Sequence, residues 1–322
     1  MNPAARRIAM CSIILGLVSG LGGCSRSQPD QPAKPAASAP PPVAEQAPAP
    51  PTEAEIHGAL MRAVFGKDYR PSKGDALAGA ADPHDPGSMV PTVFTPVAST
   101  TLPGGETVLV VNGEPADEKG EAQSQKANGG SLNIYLLRET GGNWEVLRRH
   151  EHVDDLGHHG RIGQTRWVRQ TNGRVLLAVE DGSSGQGYSV TILALFDPAA
   201  EKIVNLVGDG ILVRSDSDGA CVDEAIHCWN AEAKWHTAPS TTGAPYDDLV
   251  LIFSGWEEKA DPNVQAATAP DAGAGQGAAP AASDQSPQPV QRIRTTLSGA
   301  ARYVFDNGAY RLKSGKNPIP SP

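Results

Sequence analysis

Four of the eight histidines in this 322-residue chain fall within ten residues. They lie in the run His150-Glu151-His152-Val153-Asp154-Asp155 and in the pair His158-His159 that follows it. Alternate side chains of a strand share a face, so a strand here would point His150 and His152 the same way. Neutral imidazoles so placed could chelate Zn²⁺ or Cu²⁺, with Asp154 as an oxygen ligand and His158 and His159 close by. The competing reading is a polar loop between strands, bounded by Gly157 and Gly160, with its histidines in solvent. Histidine titrates near neutrality, so either arrangement would give a pH-responsive surface.

The same run is similar to the first half of the His-x-His-x-Asp-His motif of metallo-β-lactamase-like hydrolases, with Asp155 in place of the last histidine. The resemblance implies an αββα sandwich and further ligands downstream. The chain shows one helical segment, and Trp235 precedes His236-Thr237 where that family has glycine. Other sites for chemistry are incomplete. Asp216-Ser217-Asp218-Gly219 has the core of a calcium loop, but Arg214 and Ala225 occupy the first and last ligand places, so an acidic turn is expected. Gly182-Ser183-Ser184-Gly185-Gln186-Gly187 misses a nucleophile elbow because Gln186 stands where glycine is required. It reads as a flexible hairpin loop. No phosphate-binding loop or dinucleotide fingerprint occurs.

The N-terminus reads as an address. Arg6 and Arg7 precede an apolar run from Ile8 to Leu21, which is short for a bilayer span and of signal-peptide length. It ends in Leu21-Gly22-Gly23-Cys24, which resembles the lipobox of bacterial lipoproteins. The resemblance implies cleavage after residue 23, lipidation of Cys24 and anchoring in a membrane by two or three acyl chains. Ser25, not Asp, follows the cysteine, which in the enteric sorting rule favours the outer membrane. Residues 24–52 read as a tether, with nine prolines and seven alanines between 25 and 52. Two further cysteines outside the signal segment, Cys221 and Cys228, are expected to form a disulfide in an oxidising compartment, with zinc binding as the alternative use.

The elements that must position these residues are mostly strands. Thr52 and Glu55 form a capping-box signature, and Ile56, Leu60 and Val64 recur with helical spacing up to Gly66. This predicts one helix of about 13 residues. Beyond it the apolar period is two, from Thr107–Val111 through Leu132–Arg138, Trp144–Arg149 and Lys202–Leu206 to a final hairpin. Asn307-Gly308 suits a type I′ turn that pairs Phe305 with Tyr310 and Tyr303 with Leu312. Val175–Val179 and Leu249–Phe253 are apolar on both faces and are expected to be central strands. The fold expected is mainly β, an antiparallel meander forming a sandwich or barrel-like roll with one N-terminal helix; an incomplete propeller also fits.

All sixteen aromatic residues lie in 65–256 or 303–310. The Ala/Gly/Pro-rich stretch 259–290 therefore reads as a disordered insertion within a single β-rich domain spanning 53–316. The net charge of −9 and pI near 5.4 argue against a nucleic-acid binder, which needs a basic face. Trp229 and Trp235 flank the cysteine pair and either cover it or form a recognition patch. The function expected is a lipid-anchored, outer-membrane lipoprotein, its β domain binding an envelope protein or polymer or serving structurally without catalysis. Alternatives are a periplasmic metal-binding protein using the histidine cluster and a hydrolase with an unrecognised site.

Overall fold

The computed structural model describes residues 50–322 except 83–84, 86, 124–127, 223–224 and 263–289. The signal peptide, Cys24, nearly all of the tether and most of the 259–290 insertion lie outside the described residues. The described chain is mainly β: one helix and two wholly antiparallel sheets, with no closed barrel.

Helix α1 spans Glu53–Phe65 and starts at the expected capping box. The Glu55 amide donates to Thr52 Oγ1 at 3.3 Å, and the Thr52 amide donates to Glu55 Oε2 at 2.7 Å. Gly66, at φ 55°, ends it. The helix buries Leu60, Met61 and Val64 on the first sheet.

That sheet holds six strands in chain order: β1 Tyr69–Arg70, β2 Asp75–Ala81, β3 Met89–Thr101, β4 Thr107–Pro115, β5 Gly130–Thr140 and β6 Asn143–Leu156. The second holds eight, again in chain order: β7 Gln164–Arg169, β8 Val175–Gly185, β9 Tyr188–Phe196, β10 Ile211–Asp216, β11 His227–Ala238, β12 Asp248–Ala260, β13 Arg292–Asp306 and β14 Ala309–Gly315. Each strand pairs with its sequence neighbour, so every connection within a sheet is a simple reversal.

Side-chain alternation explains the layering. On β4, Leu109 and Val111 face the helix, while Val108 and Val110 face the second sheet. On β8, Leu177 and Val179 return that contact, and Leu176 and Ala178 face the opposite way. β4, β5 and β8 are therefore buried on both sides, as a continuous apolar run requires. The second sheet curls so that Leu176 and Leu195 share a core with Leu251, Phe253, Ala301 and Tyr310 from its other half. Sandwich and partial roll thus coexist: β4–β5 against β8–β9 is a face-to-face packing, and β7–β14 is an unclosed roll.

Several expectations are corrected. β12 is a central strand, as expected, between β11 and β13, but only one of its faces is buried: Ile252 is 53% exposed, because no layer covers the outer side of the roll there. Lys202–Leu206 is not a strand but part of the irregular β9–β10 connection, where the Asn205 side chain accepts backbone amides of Leu195 and Val207. The Gly182–Gly187 stretch is not a loop: β8 runs to Gly185, and Gln186-Gly187 alone make the turn, both at positive φ. The last hairpin has the register read from Asn307-Gly308, with Phe305 opposite Tyr310 and Tyr303 opposite Leu312. The β1–β3 strands had no clear signal, since Asp75–Ala81 is mostly alanine and glycine and Met89–Thr101 contains two prolines.

One end of the roll is held by buried carboxylates. Asp197 is 1% exposed and accepts Arg174 Nη1 at 2.8 Å and Tyr246 Oη at 2.9 Å. Burial and the Asp197 charge together push the Tyr246 phenol up to about 12. Asp247 accepts the Thr171 amide and hydroxyl, while its own amide donates to Gln170 Oε1 and its carbonyl accepts Tyr310 Oη. Asp248, fully buried, takes Arg302 Nη1 at 2.8 Å and the Thr241 hydroxyl at 2.7 Å. Asp197→Ala would leave Arg174 and Tyr246 without this acceptor. Arg174 is half-exposed and can turn to solvent, so the cost is mainly that of the unpaired Tyr246 hydroxyl, about 1–3 kcal/mol, read as a lower urea midpoint with an unchanged slope.

Candidate functional site

The roll is open at the end opposite these carboxylates. There the inner face of β7–β11 and the β6–β7 connection line a cleft of about 850 Å³. Its walls include His158, His159, Arg161, Glu180, Thr191, Arg214 and Glu232. Glu180 on the wall, and Arg166 and Trp235 beside it, continue inward-facing apolar phases. Glu180 follows Leu176 and Ala178, while Arg166 precedes Val168 and Trp235 follows Ala233.

Glu180, Arg166 and Trp235 meet across the inside of the roll. Trp235 Nε1 donates to Glu180 Oε1 at 2.9 Å, although β11 and β8 are separated by two strands. The Arg166 guanidinium carbon stands 3.7 Å from the centre of the Trp235 ring, and its Nη2 lies 3.6 Å from Glu180 Oε1. The cation–π contact and the ion pair act on one guanidinium, so the three side chains fix one another. They separate the apolar interior of the roll from the polar cleft.

The connection carrying His158, His159 and Arg161 is pinned to the first sheet. Asn112 on β4 is 6% exposed; its Nδ2 donates to the Gly160 carbonyl at 2.7 Å, and its Oδ1 accepts the Ile162 amide at 3.1 Å. Gly163, at φ 96°, lets this connection pass against the Glu180 carbonyl, where a Cβ would be 2.5 Å from the oxygen. The His158 and His159 rings sit 4.8 Å apart at the cleft wall.

The five residues read as a metal set are spread over three places. β6 does not end at Arg149 but continues through the histidines to Leu156, so the polar-loop reading of 150–156 is corrected as well. His150 pairs with Ile134 and Asp154 with Leu132, leaving Asn133 opposite residues 151–153. This bulge, with His152 at φ 50°, breaks the alternation. His150 and Asp154 therefore face the layer between the sheets. His152 faces outward, where Nδ1 lies 3.1 Å from Ser131 Oγ and Nε2 lies 3.2 Å from Asp155. His158 and His159 belong to the cleft. Among the described residues no three His, Cys, Asp or Glu side chains converge as a metal ion would need. Burial lowers His150 from its ordinary value, with Arg148 adding to the shift, and its Nε2 is buried without a partner. Burial likewise raises Asp154.

The other singled-out residues form a structural knot. Cys221 and Cys228 are disulfide-bonded, with Cα atoms 5.4 Å apart. Trp229 is 3% exposed, stacks on Tyr188 and donates from Nε1 to Ser215 Oγ at 2.8 Å. Asp216-Ser217-Asp218-Gly219 closes on this ring: Ser217 exchanges bonds with the Trp229 backbone, and Asp218 accepts Asn230 Nδ2. Trp229 is thus the covering residue, and Trp235 packs on the core of the roll behind the cleft residue Glu180. Arg166 and Glu180 were missed by motif reading. Their signal was a charge placed in the inward phase of an apolar strand.

Comparison with protein-family models, with curated proteins and with solved structures found no match for this chain.

The buried histidines give a signed pH prediction. His150 and His57 are both lowered by burial, partly opposed at His57 by Glu53. Each favours the folded state fully above the unfolded histidine value of about 6.5. That contribution is lost as pH falls through the unfolded value towards the lower folded one. Urea midpoints should therefore drop between neutral and mildly acidic pH. His150→Gln should make that drop shallower, with the His57 share remaining.

Proposed function

We propose that this chain is a lipid-anchored envelope lipoprotein whose β-rich domain binds an envelope polymer or protein through the open end of the roll, without catalysis. The observation that carries the reading is the cleft itself. It is concave and carries His158, His159, Arg161, Arg214, Glu180 and Glu232 on its walls, with Glu180 held in place by Arg166 and Trp235. The guanidiniums of Arg161 and Arg214 and the carboxylates of Glu180 and Glu232 on its walls present hydrogen-bonding edges that suit a hydroxyl- or amide-rich ligand.

The anchoring half of the proposal rests on Arg6-Arg7, the short apolar run and Leu21-Gly22-Gly23-Cys24. The Cys221–Cys228 bond supports it, since structural disulfides persist in oxidising compartments. Polyproline-like spacing of about 3.1 Å per residue would let the tether hold the domain clear of the lipid surface.

Two measurements test the halves separately. Cys24→Ser should move the protein from the membrane fraction to the soluble fraction or leave the precursor uncleaved; an anchored, processed variant would overturn the lipoprotein reading. Arg161→Ala and Arg214→Ala, both on the cleft wall, should change stability by no more than about 0.5 kcal/mol while lowering retention on immobilised envelope material. Retention unchanged in the double variant would remove the cleft from the reading.

A further inference from the structure

Half of β13 is an uncovered backbone edge among the described residues. β12 pairs with β13 along its whole length, from Arg292 to Tyr303, but β14 covers only Ala301–Asp306 on the other side. β14 cannot extend this cover. Gly315 pairs with Ala301, and the tail then turns inward. Asn317 Nδ2 donates to the Leu212 carbonyl at 2.8 Å, and Ile319 is 8% exposed in the core of the roll. Among the described residues, 292–300 are thus paired on one side only, and 293–296 and 298–300 are exposed.

This edge lacks the usual protections. A long edge strand is normally blunted by proline, by lysine or by outward-held charge. Arg292–Ala300 contains neither proline nor lysine, and its two arginines are drawn back onto neighbouring structure. Arg294 Nε lies 2.6 Å from Glu258 Oε1, and its guanidinium stacks on Trp256. Arg292 Nη1 donates to the Val222 and Ala225 carbonyls, and its Nε lies 3.4 Å from Glu258. What remains along the edge is Ile293, Thr295, Thr296, Leu297 and Ser298, residues that suit a pleated ladder.

We propose that this edge is a homodimer interface, in which Arg292–Ala300 of two copies pair antiparallel about a twofold axis through Thr296. The charge pattern favours a second copy as the occupant. In this register Arg294 faces the second copy's Ser298, and Ile293 faces the second copy's Gly299, so no like charges stand opposite each other. Thr296 faces its own equivalent. The axis keeps the inner faces of both rolls on one side of a continuous sheet. Both cleft mouths stay clear of the join, since the cleft is lined from β7–β11. The inference does not depend on what the cleft binds.

The test uses the full chain purified in mild detergent, with light scattering corrected for micelle mass. Wild type should show twice the monomer mass, dissociating on dilution. Thr296→Cys should give a disulfide-linked dimer on mild oxidation, above the level of the parent chain, whereas Ser298→Cys should not, because antiparallel pairing holds those two residues far apart. Adjacent residues send their amides to opposite edges. One of Thr295→Pro and Thr296→Pro should therefore keep the wild-type melting temperature and lose the dimer, and the other should lower the melting temperature. A wild-type monomer at every concentration overturns the proposal, as does a dimer that survives in both proline variants or cross-links equally at 296 and 298.

Discussion

The curl of the second sheet depends on the carboxylates buried at its closed end. An eight-stranded sheet that rolls without closing has no ladder across its seam, so something else must join its two halves. Asp247 takes donors from the β7–β8 turn and presents its carbonyl to Tyr310 on β14. Asp197, at the end of β9, takes Arg174 from the start of β8 and Tyr246 from the segment before β12. Asp248 adds Arg302 on β13. Each carboxylate is buried with several donors, which is the condition under which a buried charge is tolerated. A further backbone bond, from the Tyr310 amide to the Leu206 carbonyl, draws the β9–β10 connection over the same seam.

The open end follows from the closed one. With the roll held at one pole, the inward phases of β7, β8 and β11 converge at the other, and the Arg166–Glu180–Trp235 contact forms across two intervening strands. The first sheet contributes from outside the roll. Asn112 fixes the β6–β7 connection, and with it His158, His159 and Arg161. The cleft is therefore a product of both sheets, although most of its lining residues come from the second.

Local signals were read well where a single element decided the outcome. Thr52, Glu55 and Gly66 mark the helix because its end groups need those partners within a few residues. Asn307-Gly308 sets the last register because a two-residue turn with positive φ at both places suits few other residues. The histidine run departs from its local pattern for the opposite reason. Its apparent same-face pair assumed unbroken alternation, and the bulge opposite Asn133 is set by pairing with β5, about twenty residues earlier in the chain. Likewise, nothing local distinguishes Leu249–Phe253, exposed on one side at Ile252, from Val175–Val179, buried on both.

From residue order alone come the mainly β character, the capped helix, the hairpin register and the Cys221–Cys228 pairing, together with the expectation of a lipid anchor at Cys24. These rest on short-range chemistry: turn conformations, caps, apolar periods and the pairing of nearby thiols. Only the tertiary structure decided that the meander divides into two sheets, that the second curls without closing, and that Glu180, Arg166 and Trp235 meet. Those outcomes depend on which apolar faces find each other and on where buried carboxylates find donors. Both are long-range choices, and an alternating strand is compatible with several of them.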